Sequence, residues 1–341
     1  MQKRIRLEDV AQAAKVSTAT VSRALSLPQR VRPATLELVQ RAVQKLGYVP
    51  DAAGRALALG RTKTVGCVIP TLDHAIFASS THAMQTTLAA AGFQLLVASH
   101  EYDPLTELNL VRSLQQRGVD AMVLVGTEHH KNLWKEVLQW GKPSLLTWSC
   151  DARLPSVGFD NQAIGRLGTR HLLDLGHRSI GMISGHTAHN DRARARVEGF
   201  HATLREAGCR VAKDHVSEQA LKIGGGRLGL QALLKGAKPP TAILCGNDLL
   251  AVGALLEAQR QGLRVPQDLS ICGIDNHDLS AEIMPGVTTI SLPTRQLGQI
   301  AATQILAAID GVPIAQQSLL PFELLVRGTT GKASRRQGST E

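Results

Sequence analysis

The chain has 341 residues, 43% of them hydrophobic, which is enough for two or three domains with cores of their own and excludes a wholly disordered polymer. No apolar run reaches the roughly 20 residues that cross a bilayer, and the opening MQKRIRLEDV lacks the apolar stretch of a secretory signal. A cytoplasmic protein with no membrane partner is therefore expected. The net charge of +10 is concentrated in residues 1–63, where twelve Lys and Arg face four acids, while the rest of the chain holds 26 basic and 24 acidic groups. A compact basic module on a nearly neutral body is the footprint of a part that binds phosphates, because cations that release counterions from DNA supply sequence-independent affinity. On charge alone, a merely solvated basic face is the competing reading.

In chain order, the first predicted element is a short helix from Leu7, with Val10, Ala11 and Ala14 on one face. Ser17 stands where an N-cap would accept the free amides of a second helix, Thr18 to about Leu25, whose Val21 and Leu25 turn to the core. Thr18, Ala19, Ser22 and Arg23 then face outward. Two short helices joined by about three residues, the second with small polar side chains and an arginine outward, make a helix-turn-helix suited to a major groove. A third helix is predicted from Pro33, with Val39, Ala42, Val43 and Leu46 on one face and Gly47 as its stop. These stretches, LEDVAQAAKVSTATVSRAL and VRPATLELVQRAVQKLGYVPDAAGRALALGRT, resemble the headpiece of the LacI/GalR transcription regulators without gaps.

The resemblance implies that Thr18, Ala19 and Arg23 face base edges and that Ser17, Thr20, Ser22 and Arg30 approach phosphates. It makes Asp51 to Leu59 a hinge helix and Leu57 the apolar wedge that enters the minor groove at the operator centre. A bulky apolar side chain can prise a base step apart, and a symmetric dimer supplies two. The sequence departs from the family at Lys15, where a glycine usually makes the turn; a left-handed residue with a Cβ costs roughly 1 kcal/mol.

After Thr62 the apolar runs VGCVIP (65–70), FQLLVAS (93–99), AMVLVG (121–126), PSLLTW (143–148), SIGMIS (179–184), TAILCG (241–246) and LSICGI (269–274) read as buried parallel strands. Helical patterns around 104–117, 161–175, 192–207 and 247–262 alternate with them, which predicts a doubly wound α/β body. Cys67, Cys150, Cys209, Cys245 and Cys272 lack CxxC spacing and are expected as free thiols, not disulfides or metal ligands. The segments VGFDN, LLDLGHRSIGMISG, RARVEGF, GNDLLAVGALL and VPQDLSICGIDN resemble the effector domain of the same family, which is similar to periplasmic sugar-binding proteins. That implies two lobes about a cleft, with chain crossovers near 160, 290 and 318. The expected division is a headpiece at 1–50, a hinge helix and linker at 51–62, a two-lobed ligand-binding and dimerisation domain at 63–330, and a disordered tail at 331–341. The tail is polar and carries no apolar heptads of a tetramerising helix, which is why it is expected as disordered, and the expected assembly is a homodimer.

Ligands of open α/β domains bind at the carboxyl ends of strands. Asn190, Arg192 and Arg196 follow one such strand, Asn247 a second, and Asp275 with Asn276 and His277 a third. A guanidinium, carboxamides and a carboxylate suit vicinal hydroxyls, which both donate and accept. The resemblance makes Arg196 and Asp275 the main polar effector contacts and places Phe77, His129 and Trp148 on the opposite lobe, where an aromatic ring can stack on a sugar. It implies a small-molecule effector that is a sugar or sugar acid, as in gluconate-repressor-like members, and pseudo-palindromic double-stranded operator DNA as the other partner.

Some signals point elsewhere. Residues 224–229 fit GxGxxG, but no acidic residue closes a second strand about 20 positions on, and a loop before a helix is the expected reading. His186 and His189, and the pair His129 and His130, lack an HExxH or cysteine context and are expected as solvated histidines. No catalytic residues, metal site or cofactor are expected. A periplasmic sugar-binding protein would explain the body alone, and a sugar-metabolising enzyme with an attached DNA-binding domain would need a nucleotide or metal motif.

Overall fold

The computed structural model describes residues 5–49, 54, 60–209, 215–236 and 238–334. The expected hinge helix lies outside the described residues except for Gly54, and Leu57 lies outside them too.

Three helices open the chain: α1 (Leu7–Ala14), α2 (Thr18–Ser26) and α3 (Pro33–Leu46), with a single 3-10 turn at Pro28–Arg30. Ser17 caps α2, its hydroxyl accepting the Thr20 amide at 3.2 Å. Val10, Val21 and Val39, one from each helix, meet with Ala11, Ala14, Ala24 and Ala42 in a small core. Ala24, not Leu25, is the second fully buried residue of α2; Leu25 only packs at the margin, because the i, i+3 neighbour lies closer to the centre of this short helix's apolar face. Lys15 adopts the left-handed conformation that its position in the turn demands, at φ 54°.

The first lobe runs β1 (Thr64–Ile69), α4 (Ala75–Ala90), β2 (Gln94–Ser99), α5 (Pro104–Gln116), β3 (Ala121–Val125), α6 (Lys131–Gln139), β4 (Ser144–Trp148) and β5 (Ser156–Gly158). The chain then crosses to the second lobe: α7 (Asn161–Asp174), β6 (Ile180–Gly185), α8 (Asp191–Glu206), β7 (Val216–Gln219), α9 (Ile223–Leu234), β8 (Ala242–Cys245), α10 (Asp248–Arg260), β9 (Ser270–Asp275), α11 (Asp278–Glu282) and β10 (Thr288–Ser291). It returns through α12 (Thr294–Ile309) to β11 (Gln317–Leu319) and crosses again to β12 (Glu323–Leu325). The sheets have the orders β11-β5-β4-β3-β1-β2 and β12-β10-β9-β8-β6-β7. Every described pairing is parallel except β10 with β12. The three crossovers thus fall near 160, 292 and 321, where the family resemblance put them.

Four expectations need correction. FQLLVAS is not a buried strand: β2 pairs only with β1 and lies at the sheet edge, with Gln94 and Val97 exposed. The glycines of residues 224–229 are not a loop before a helix but lie within α9. A Cβ on Gly226 would collide with the Leu250 carbonyl and one on Gly253 with the Ile223 carbonyl, so these glycines let α9 and α10 cross backbone to backbone. The expected disordered tail begins with anchored residues, since Gly331 accepts from His177 at 3.1 Å and the Ala333 amide donates to Leu175 at 2.9 Å. Residues 335–341 lie outside the described residues. His186 and His189 are exposed, but His129, expected here as a solvated loop histidine and on the resemblance as an effector contact, has a side chain with no exposed surface. All five cysteines are free, with Cys67, Cys245 and Cys272 buried.

Candidate functional site

The interlobe pocket is built from strand ends. Arg196 rises from the second turn of α8, whose backbone packs directly on α7: a Cβ on Gly165 would collide with the Arg196 carbonyl, and one on Gly199 with that of Gln162. Its Nε donates to Asn161 Oδ1 at 3.1 Å and its Nη1 to the Gly246 carbonyl at 2.8 Å. Asn161 in turn donates to the carbonyls of Trp148 and Phe159 at the first crossover. The guanidinium is therefore fixed to the second lobe and, through Asn161, to the Trp148 carbonyl of the first, while its remaining N–H groups make no hydrogen bond among the described residues.

Asp275 ends β9 at φ 111°, followed by Asn276 at φ 57°. Such backbone costs of order 1–3 kcal/mol per residue and persists where neighbours over-determine it. Here Asp248 does so, accepting from the His277 amide at 2.8 Å, the Ser280 hydroxyl at 2.7 Å and the Thr289 hydroxyl at 2.6 Å. Asp275 Oδ1 lies 4.0 Å from Arg196 Nη1, too far for a hydrogen bond, and has no partner among the described residues. Burial pushes its carboxyl up to about 8, against the opposing pull of Arg196. Burial likewise lowers the pKa of Arg196, which as a guanidinium nonetheless stays protonated.

Asn190 and Asn247 are the N-caps of α8 and α10, with side-chain oxygens accepting from Ala193 and Leu250. Capping leaves their amide hydrogens for the pocket. Arg192 donates to Asp191 at 2.7 Å. From the first lobe, Phe77 and Trp148 meet edge to face at 5.1 Å. The structure thus brings together Phe77, Trp148, Asn190, Arg192, Arg196, Asn247 and Asp275 around one pocket. His129 is not among its lining residues; Glu107 accepts at Nδ1 at 2.9 Å and the Gly126 carbonyl lies 3.1 Å from Nε2, so both ring nitrogens are engaged behind the pocket wall.

His74, Tyr102, Ser184 and Leu221 also line it and were not foreseen. Tyr102 follows the end of β2 by three residues, so the carboxyl-end rule alone could have found it. Ser184 Oγ and His74 Nδ1 are buried without partners among the described residues, and burial lowers the pKa of His74. The inner pocket leaves about 30 Å3 free, and a cavity of about 270 Å3 adjoins it through His74, Tyr102, Asn190 and Leu221. Orphaned buried polar atoms in a closed cleft are groups that a ligand would satisfy.

At the other end of the chain, Ser17, Thr18, Ala19, Arg23 and Arg30 are exposed, and Thr20 and Ser22 half-buried. Ser17 and Thr20 also share a hydroxyl contact of 2.9 Å at the start of α2. The outer face of α2 presents small polar groups in its first turns and one cation, Arg23, in its last, with the apolar face already covered by α1 and α3.

Residues 6–51 match the model of bacterial regulatory proteins of the lacI family, and residues 62–326 that of periplasmic binding proteins and the sugar-binding domain of the LacI family. The chain is 32% identical over 327 residues to the HTH-type transcriptional repressor CytR of Escherichia coli, covering 95% of this chain and 96% of that one. It is 31% identical over 312 residues to the ribose operon repressor of Haemophilus influenzae, covering 89% of this chain and 91% of that one. Its fold superposes on the lac repressor dimer bound to operator and the anti-inducer ONPF with a TM-score of 0.86 and 27% identity, covering 96% of this chain and 100% of that one. With a helix-turn-helix at its start and a ligand cleft between parallel sheets, the chain belongs to the LacI family and is a ligand-responsive, DNA-binding transcriptional repressor.

Proposed function

We propose that this repressor controls a carbohydrate or sugar-acid catabolic operon, with a gluconate-like effector held by Arg196 and Asp275. The observation that carries the proposal is the charge of the inner pocket. Two guanidinium groups, Arg192 and Arg196, face it, and the carboxyl of Asp275 is pushed toward its neutral form by burial. A carboxylate next to unassigned guanidinium N–H groups gains charge-assisted hydrogen bonds, and hydroxyls suit Ser184, Asn190 and Asn247. The name of the ribose operon repressor among the relatives supports a carbohydrate. The protein works where its DNA is, in the cytoplasm, as a homodimer on a pseudo-palindromic operator. Thr18, Ala19 and Arg23 read base edges, Ser17, Thr20, Ser22 and Arg30 hold phosphates, and Leu57 wedges the operator centre.

Fluorescence anisotropy on a palindromic duplex, with and without D-gluconate, tests both halves. Operator affinity falls steeply with salt, because each headpiece neutralises several phosphates. Arg23→Ala weakens it by about 1–3 kcal/mol and relaxes the sequence preference. A flat salt response sinks the DNA reading, and a melting temperature unmoved by sugar acids and sugars alike sinks the effector reading.

A further inference from the structure

Asp191, the first residue of α8, lies where the lobes meet, and its two carboxylate oxygens face different ones. Oδ1 accepts from Arg192 Nη1 at 2.7 Å, and Arg192 lines the pocket. Oδ2 accepts from the Thr127 amide at 3.2 Å and the Thr127 hydroxyl at 3.0 Å, in the loop after β3 of the first lobe. Burial raises the pKa of this carboxyl, but Arg192 and the hydrogen bonds from Ser149 and Thr127 outweigh it and hold the group below the ordinary carboxylate range.

The loop is shaped for this contact. Gly126 has φ +88°, and a Cβ there would collide with Arg192 Nη1 and lie 2.6 Å from Asp191 Oδ1, so the ion pair packs on bare backbone of the other lobe. From behind, the buried His129 joins the Gly126 carbonyl to Glu107 on α5. At the outer edge Glu128 pairs with Arg194 of α8 at 2.7 Å.

We propose that Asp191 is the positioning residue through which a ligand's contact with Arg192 is coupled to closure of the two lobes. Arg192 is aimed into the pocket by a carboxylate that Thr127 anchors only when the lobes are together. A ligand that uses Arg192 therefore binds the closed form better than the open one, which is the differential affinity that any population shift requires. Among the described residues, the groups hydrogen-bonded to Asp191 are all donors: the Thr127 amide and hydroxyl, the Ser149 hydroxyl and Arg192. An amide in its place accepts on one side only and turns its own N–H groups toward donors on the other, so Asp191→Asn breaks the chain at one of its two links.

The inference rests on the effector binding in this cleft, so the test has a ligand-free arm. Hydrogen exchange of the Thr127 amide in the unliganded full-length protein rises at least tenfold in Asp191→Asn; unchanged exchange overturns the proposal. In the second arm, the ratio of operator affinities with and without D-gluconate falls toward one in Asp191→Asn, while operator affinity alone stays within about threefold. Thr127→Ser, which keeps both donors, retains the wild-type ratio. A response lost only in proportion to lost gluconate affinity would show that Asp191 merely orients Arg192, and would overturn the coupling role. Wild-type protein that ignores D-gluconate counts against the effector reading, and the exchange result then decides the inference by itself.

Discussion

Arg196→Ala abolishes the response to D-gluconate and leaves operator binding intact. The side chain is buried, tied to Asn161 and to the Gly246 carbonyl, and its remaining N–H groups face the pocket. Removing one partner of a buried charged contact typically costs about 2–5 kcal/mol, roughly 30-fold to several thousand-fold in affinity. The residues proposed to touch DNA, from Ser17 to Leu57, all precede the first strand of the lobes, so the loss should not reach them directly. Asp275→Ala should fall in the same range, because its unpartnered Oδ1 is a group that the ligand would satisfy. Arg196→Lys keeps the charge but not the Nε bond to Asn161, and an intermediate affinity is expected. Calorimetry with D-gluconate gives the affinities, and gel shifts with and without it give the response. Unchanged ligand affinity in both alanine variants would place the site elsewhere.

Much of this site was legible because strand ends and helix caps leave local signatures. Asn190 and Asn247 stand directly before helices, and Arg196 and Asp275 follow apolar runs too regular to be anything but buried strands. The three-valine core of the headpiece is likewise a matter of spacing within single helices. What stayed hidden depends on contacts between distant segments. His129 carries no local mark of its pairing with Glu107, 22 residues away. The run Gly224-Gly225-Gly226 looks like a loop until α10 is seen crossing at Gly226, which answers to the Leu250 carbonyl of a neighbouring helix and not to a turn. The strands β5, β11 and β12 have three residues each, too few for a period-two pattern to stand out.

Asp275→Asn should stabilise the unliganded protein, by an amount that grows with pH. Burial holds the proton on the folded Asp275 up to about pH 8, whereas the unfolded residue releases it near its ordinary value of 3.8. Between these values the unfolded chain binds fewer protons than the folded one, so the contribution of this group to stability falls as pH rises and levels off above about 8. One proton sets a ceiling of about 1.4 kcal/mol per pH unit. The amide resembles the protonated acid at every pH, so the two proteins should be nearly equal near pH 4 and diverge toward pH 8 by several kcal/mol, with about 5–6 kcal/mol as the ceiling for a shift from 3.8 to about 8. Urea unfolding followed by tryptophan fluorescence at several pH values measures the difference, in which the titration of all other groups largely cancels. A gap independent of pH, or a less stable variant at pH 8, would show that Asp275 is already ionised beside Arg196. The expected gain would place Asp275 among residues kept at a cost to stability, which fits a carboxyl whose partner arrives from solution.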